Sequence, residues 1–446
     1  MRTKKFKSAI ALAAAFPLAI ALAACGGDKP ADKPASEGDA AAEEADAGEA
    51  TGNELTVWAW DPAFNIYAMQ EAEKVYQQDH PDFKLNIVET PWDDIQTKLT
   101  TLAMSDTLEE RPDIFLIQNN ATQKNVINYP DVFGDMTGGP VDFSEFPTAV
   151  VDYSTIDGKN YAVPFDSGTA INALRIDVLE EAGYTLEDFT DITWDKYIEQ
   201  GKVVLEKTGK PLLSGVRGEA DMIMMMLQSS GHSLFDADGK PTIDTPEVKK
   251  VLEQYAALVD SGVMVEVSSW DEYIGSFVNG DVAGTVNGVW IVGSIQTAED
   301  QAGKWSITNL PKLDGVPDAT NYSANGGSSW AISSTGNQAL AMDFLAATFA
   351  GSTELFDTIL PKSGAITNWI PAGNSPVYQE PQPFFNDQPI FSMVVEFGEH
   401  VPSNNTGAYY YEGRDAVGTA ATEFLNGADI DQALKTAQEQ VEFAMQ

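Results

Sequence analysis

Leu55-Thr56-Val57-Trp58-Ala59-Trp60 is a β-prone, apolar run that Asp61-Pro62 brings to a stop. Beyond it, Ile66, Met69, Ala72, Val75 and Tyr76 recur at helical spacing within residues 64–79, up to a stop at His80-Pro81. Residues 83–88 alternate as a second strand, and residues 94–104 are again helical. Pro112-Asp113 then introduces Ile114-Phe115-Leu116-Ile117, a short buried strand that ends in Gln118-Asn119-Asn120. Strand, helix, strand, helix, strand in this order predicts a parallel sheet with helices on its faces, an α/β fold. In such sheets ligands gather at the carboxyl ends of the strands. Trp60, Asp61, Trp92, Gln118, Asn119 and Asn120 all stand at or just beyond those ends.

The rest of the chain continues the mixed pattern. Residues 161–166 read as a strand, 194–207 and 246–261 as helices, 270–279 as amphipathic, 282–286 as a strand running into Asn287-Gly288-Val289-Trp290, and 337–349 and 430–444 as helices. Residues 324–333 read as a polar, glycine-rich stretch around Trp330. Asp236-Ala237-Asp238-Gly239 invites a calcium-loop reading, but the spacing of an EF-hand fails and a hairpin turn fits better. There is no internal repeat.

The chain has 446 residues, with 67 Asp and Glu against 26 Lys and Arg, a formal net charge of −41. No Lys/Arg cluster follows the first seven residues, which argues against nucleic-acid binding, where phosphates must be neutralised. The single cysteine, Cys25, forbids a disulfide within the chain and a thiolate metal cluster. His80, His232 and His400 lie far apart, so no local metal motif forms, and neither a metal nor a cofactor is expected. The acidity suits solubility and carries no information about a ligand.

The N-terminus reads as an address. Arg2, Lys4, Lys5 and Lys7 precede an Ala/Leu/Ile-rich run that is too short to span a bilayer and is interrupted by Pro17. Leu22-Ala23-Ala24-Cys25-Gly26 resembles a bacterial lipobox, which implies cleavage after residue 24 and a diacylated Cys25, an anchor of two acyl chains. Residues 25–53 then form an acidic tether without aromatic or large apolar side chains, expected to be disordered and to span roughly 30 Å. An extracytoplasmic, lipid-anchored location follows, with a Gram-positive surface favoured over a periplasm by the long tether.

Several segments of the body together resemble the sugar-binding proteins of bacterial ABC importers, the family that includes the maltose-binding protein. They are residues 55–60, Pro112-Asp113-Ile114, residues 161–167, Thr193-Trp194-Asp195, Phe277-Val278-Asn279-Gly280-Asp281 leading to Asn287-Gly288-Val289-Trp290, Asn309-Leu310-Pro311 and residues 433–438. The resemblance implies a two-lobe, periplasmic-binding-protein-like fold over residues 54–446 with a ligand cleft between the lobes. One lobe would hold about 54–164 and 326–364, the other about 168–320 and 370–446. Two or three crossings near 164–168, 316–328 and 362–371 would join them. It also implies a receptor that performs no catalysis, a monomer, an oligosaccharide ligand and ABC permease subunits as partners.

A sugar offers apolar C–H faces and a rim of hydroxyls, so aromatic platforms and planar amides or carboxylates should hold it. The resemblance assigns a stacking role to Trp290 and a cleft position to Tyr410, and polar cleft positions to Asp61, Asn119, Asn120 and Asp166. Asp61 could equally cap the following helix. Trp60 and Trp369 stand at loop positions, and Glu219 and Asp221 on a plausible contact loop of the second lobe. Arg414 would clamp a hydroxyl or pair with an acid. Trp58, Trp194 and Trp305 read as core, and the Met222–Met226 patch as helix core with an edge or two toward the cleft. Competing readings are the same fold binding a polyamine, peptide or other solute, and a secreted glycosidase, for which no local signature stands out.

Overall fold

The structure, a computed structural model, describes residues 52–104, 111–236 and 238–446. The export signal, Cys25 and the acidic tether lie outside the described residues. No helix among the described residues is long and apolar enough to cross a membrane.

The opening strand is Glu54–Ala59. It pairs in parallel with Lys84–Glu89 on one side and with Ile114–Gln118 on the other. Ser328–Ile332 and Ala162–Pro164 complete a five-stranded sheet in which Ser328–Ile332 runs antiparallel to both its neighbours. Side chains alternate across the sheet with period two. Leu55, Val57, Ile114, Leu116, Val163, Trp330 and Ile332 enter one core with the helices Asn65–Tyr76, Gln338–Ala347 and Thr353–Ser363. Trp58, Phe115, Ile117, Ala162 and Ala331 enter another with the helices Trp92–Met104 and Asn119–Asn128.

The strand at Ser328–Ile332 is the main departure from the sequence reading, which saw only a polar, glycine-rich stretch. Serines can occupy a central strand when each hydroxyl has a partner. The Ser328 hydroxyl and N–H both donate to Asp166 Oδ1, and the Ser329 hydroxyl donates to Asn119 Oδ1 at 2.6 Å.

A second sheet places Ala170–Arg175 between Gly284–Gly288 and Trp305–Thr308, antiparallel to both. A parallel pair, Leu213–Val216 with Met264–Val267, lies close by. The helices Trp194–Thr208, Asp221–Ser229, Pro246–Asp260, Tyr410–Leu425 and Ile430–Ala444 close the largest core over one face. Local chemistry fixes their ends. Thr193 caps the first of them by accepting from the Lys196 N–H at 3.3 Å, and Gly209 ends it in the left-handed region at φ 73°. Trp194 and Trp305 are fully buried, as read, and truncating either would cost about 3–5 kcal/mol. The Asp236 turn is a hairpin: its Oδ1 accepts from the N–H groups of Asp238 and Lys240, both at 2.9 Å, and Phe235 bridges Pro241.

Three segments run side by side between the two sheets. Phe165 N–H donates to Ser328 O at 2.9 Å, Ser167 N–H to Ile366 O at 2.9 Å, Asn325 N–H to Gly168 O at 2.7 Å and Ala170 N–H to Ser323 O at 2.9 Å. Asp166 bridges Thr367 and Thr169 bridges Ala324. Gly168 is required by this close approach, because a Cβ there would lie 2.4 Å from the Asn325 carbonyl oxygen.

Candidate functional site

Because the first three strands are parallel, their carboxyl ends share one edge of the first lobe. The turn after Ala59 is held by the buried Asn65, whose Oδ1 accepts from the N–H groups of Trp60 (3.1 Å) and Asp61 (3.0 Å). Asp61 holds the turn that precedes the helix and does not cap it: its Oδ1 accepts from Ala63 N–H at 2.8 Å and Phe64 N–H at 3.1 Å, while the N-cap of the helix is Phe64, with no side-chain cap bond. Burial pushes its carboxyl up against those two bonds. Trp60 is half-buried and its ring lies 5.4 Å from that of Trp92, at the end of the second strand. The Trp92 indole N–H is buried and has no partner among the described residues.

The second lobe meets this edge through its Tyr410–Leu425 helix. The ring of Tyr411 lies 6.1 Å from Trp92, and its hydroxyl donates to Gln118 Oε1. Lys124 forms an ion pair with Glu412 and lies 5.8 Å from the centre of the Tyr409 ring. The tyrosines that reach the first lobe are therefore Tyr411, at Trp92 and Gln118, and Tyr409, at Lys124. Tyr410 is 7 % exposed and belongs to the core of the second lobe, a correction of one position. A helix turns by about 100° per residue, so adjacent tyrosines cannot share a face.

On the second-lobe side a recess is lined by Ser214, Glu219, Asp221, Met222, Trp270, Tyr273 and Asn287, among others. Trp290 overlooks it, its ring 5.9 Å from Trp270, and packs against the cores of both lobes. Its indole N–H donates to Asn325 O at 2.9 Å. Gly288 makes this fold-back possible, since a Cβ there would meet Trp290 Nε1 at 2.2 Å. Asn325 ties the region together, its Nδ2 donating to Asp221 Oδ2 (3.0 Å) and to Asn287 Oδ1 (2.8 Å). Arg414 donates twice to Asp221 Oδ1, from Nε at 3.0 Å and Nη2 at 2.6 Å. Burial alone would raise Asp221, but Arg414 and Asn325 outweigh it and hold its carboxyl below the usual range. Arg414 thus pairs with an acid, one of the two uses the sequence left open. Glu219 is exposed as a residue, yet its carboxyl is hemmed in, and desolvation with the nearby Asp221 pushes it up to about 7.

The remaining expected residues fall elsewhere. Asn119 is buried beside the crossings, pairing with Ser329, and Asn120 is half-buried on the first turn of its helix. Asp166 is 2 % exposed and joins the crossings, accepting from Ser328; burial pushes it up to about 6. Trp369 is corrected from a loop platform to a core residue: it is 7 % exposed, its ring centre lies 6.5 Å from that of Phe356, and its indole N–H donates to Glu145 Oε2 at 2.8 Å. Sequence reasoning passed over Trp270, Asn287 and Asn325 and left Trp92 out of the site. The strand-end position of Trp92 was a signal; nothing local marks Asn325, which the crossings bring to the recess.

A profile of the family described as bacterial extracellular solute-binding protein matches residues 71–375. The chain belongs to that family. This solute-binding protein is 36 % identical over 389 residues to a lactose-binding protein of Rhizobium radiobacter, covering 87 % of this chain and 92 % of the relative. It is 25 % identical to an arabinooligosaccharide-binding protein of Halalkalibacterium halodurans, covering 88 % and 90 %. Among solved structures it is similar to the GacH receptor of Streptomyces glaucescens, with a TM-score of 0.75 and 17 % identity over 86 % of this chain and 96 % of that one. The two-lobe α/β architecture is therefore that of the sugar-binding proteins of ABC transporters, and the family places the solute-binding protein outside the cytoplasm.

Proposed function

We propose that this solute-binding protein captures a neutral oligosaccharide between its lobes and delivers it, unchanged, to the permease of an ABC transporter. The observation that carries the reading is the pairing of aromatic surfaces across the lobes, with Trp60 and Trp92 on the first lobe and Tyr411, Trp270 and Trp290 on the second. The recess beside Trp270 is lined by Asn287, Asp221 and Glu219, the first two tied together by Asn325. Rings offer platforms for the C–H faces of a sugar and the network offers acceptors and donors for its hydroxyls. The extensive kinship with a lactose-binding protein supports a sugar containing a hexose pair. A ligand that touches both lobes favours the closed arrangement over the open one, and that difference is the whole mechanism.

Cys25 is the proposed lipid attachment point, with residues 26–53 as tether and the body acting as a monomer. Replacing Cys25 with Ser should release the protein from cell membranes. The function is tested by calorimetric titration of residues 26–446 with lactose, β-1,6-galactobiose, maltose and arabinooligosaccharides. At least one should bind at one site per chain and be recovered intact by chromatography. Loss of the sugar during incubation would return the glycosidase reading.

A further inference from the structure

We propose that Lys124 and Glu412 form a latch between the lobes, which sets how much of the protein is closed before a ligand arrives and thereby tunes affinity from outside the recess. The bearing on affinity rests on the sugar-receptor reading above; the latch itself rests on the geometry of the two lobes. Lys124 lies on the Asn119–Asn128 helix of the first lobe and Glu412 on the first turn of the Tyr410–Leu425 helix of the second. They form an ion pair in which their side chains are 32 % and 26 % exposed, and neither lines the recess. The Lys124 ammonium also lies 5.8 Å from the centre of the Tyr409 ring, and the Tyr411 hydroxyl of the same turn donates to Gln118 Oε1. Each of these contacts joins one lobe to the other and is made by the chain's own side chains, so parting of the lobes breaks them. The hinge lies at the start of the same first-lobe helix, where Asn119 N–H donates to Gly327 O of a crossing at 3.0 Å. Lys124 is five residues on, about 7.5 Å along the axis. Rotation at the crossings therefore separates Lys124 from Glu412 more than it separates Asn119 from Gly327.

The charges on this rim explain why a cation stands there. The second lobe presents Glu412 and Asp415, three residues apart on one helix face, with Glu219 and Asp221 nearby. The first lobe brings Asp93, which repels both Glu219 and Asp415. Arg414 is spent within its own lobe, on Asp221 at 2.6 Å and Asp415 at 3.6 Å. Lys124 is the first-lobe cation that pulls the other way, on Glu412 directly and on Asp415 at longer range. Its removal should loosen closure more than the removal of Glu412, because it leaves Asp93 to repel the acids that remain. A partly exposed pair of this kind shifts an equilibrium by up to about fivefold. The form that holds a sugar with both lobes is the closed one, so the apparent affinity scales with the closed fraction.

The first test needs no sugar. Residues 26–446 hold every described residue and no cysteine. Spin labels at Asn128→Cys and Glu423→Cys, both exposed and one on each helix, then report the interlobe distance by double electron–electron resonance. The sugar-free protein should show a short, closed component beside the open one. Glu412→Gln should lower the closed-to-open ratio by about fivefold and Lys124→Gln by more. The exchanged pair, Lys124→Glu with Glu412→Lys, should close better than Lys124→Glu alone. A sugar-free protein without a closed component overturns the latch. So does a ratio that Glu412→Gln and Lys124→Gln leave within about twofold of wild type, or an exchanged pair that closes no better than Lys124→Glu. Calorimetric titration with lactose, or with the other sugars named above, then reads the consequence: Kd should rise in inverse proportion to the closed fraction. A Kd that ignores the closed fraction refutes the link to affinity. If no sugar binds, the receptor reading fails while the distances still decide the latch.

Discussion

Replacing Arg414 with Met keeps the volume of the stem beside Tyr411, whose ring centre lies 5.8 Å from the guanidinium carbon, while removing the charge. Asp221 Oδ1 then loses both its charged donors, at 3.0 and 2.6 Å, and its carboxylate keeps only the neutral Asn325 amide at 3.0 Å. Removing one member of a buried pair typically costs 3–5 kcal/mol. The Arg414 and Asp221 side chains are 19 % and 27 % exposed, so the lower end applies, about 3 kcal/mol at pH 7. The sign with pH follows from the depressed Asp221 carboxyl. Its stabilisation is fully present above the unfolded value of 3.8 and is lost as pH falls through its lower folded value. Urea unfolding of wild type, Arg414→Met, Asp221→Asn and the double variant at pH 7 and pH 3.5 measures this. The double variant should be more stable than the sum of the singles implies by roughly 2 kcal/mol at pH 7, and less so at pH 3.5. Additive effects, or an Arg414→Met protein within about 0.5 kcal/mol of wild type, would refute the claim that this pair organises the recess.

Trp92→Ala should weaken sugar binding by about 2 kcal/mol, roughly thirtyfold, with little change in unfolding midpoint, as titration and urea melts would report. Trp369→Ala should do the reverse, costing about 3–5 kcal/mol of stability while leaving the affinity of the folded fraction near wild type. Asp166→Asn keeps the Oδ1 acceptor for Ser328 but removes a buried carboxyl raised to about 6. Because the ionised form is disfavoured in the fold, wild type loses stability as pH rises from about 4 to 6. The variant should escape that loss and be more stable at pH 7 by up to about 3 kcal/mol, read from paired melts across pH. Gly168→Ala should destabilise the crossings by about 1–3 kcal/mol in the same melts, since its Cβ would lie 2.4 Å from Asn325 O.

The first sheet was legible because its strands announce themselves locally. Ile114-Phe115-Leu116-Ile117 is apolar throughout since both faces are buried, and the helices between strands keep a clear period. Ser328–Ile332 was hidden because its polarity is satisfied by residues far away in sequence, Asp166 and Asn119. The strand ends pointed to Trp60, Asp61, Trp92 and Gln118 but not to what meets them from the other lobe. Trp92 meets Tyr411 only through the approach of two lobes, and Asn325 reaches Asp221 and Asn287 only because a crossing passes the recess. Trp369 and Tyr410 misled for one reason: an aromatic near a cleft in sequence does not disclose which way its ring turns. Burial settles that, and it turns both inward.

The measurement that bears most directly on the central claim is a thermal-shift panel on residues 26–446 with neutral mono- and oligosaccharides, polyamines, amino acids and divalent metals. A ligand at 100 times its Kd stabilises the fold it binds by about 2.7 kcal/mol, enough to shift the midpoint measurably. The account predicts a shift with one family of neutral oligosaccharides, abolished by Trp92→Ala or Trp290→Ala, and none with the other classes. A shift confined to polyamines or metals, with every sugar silent, would contradict it.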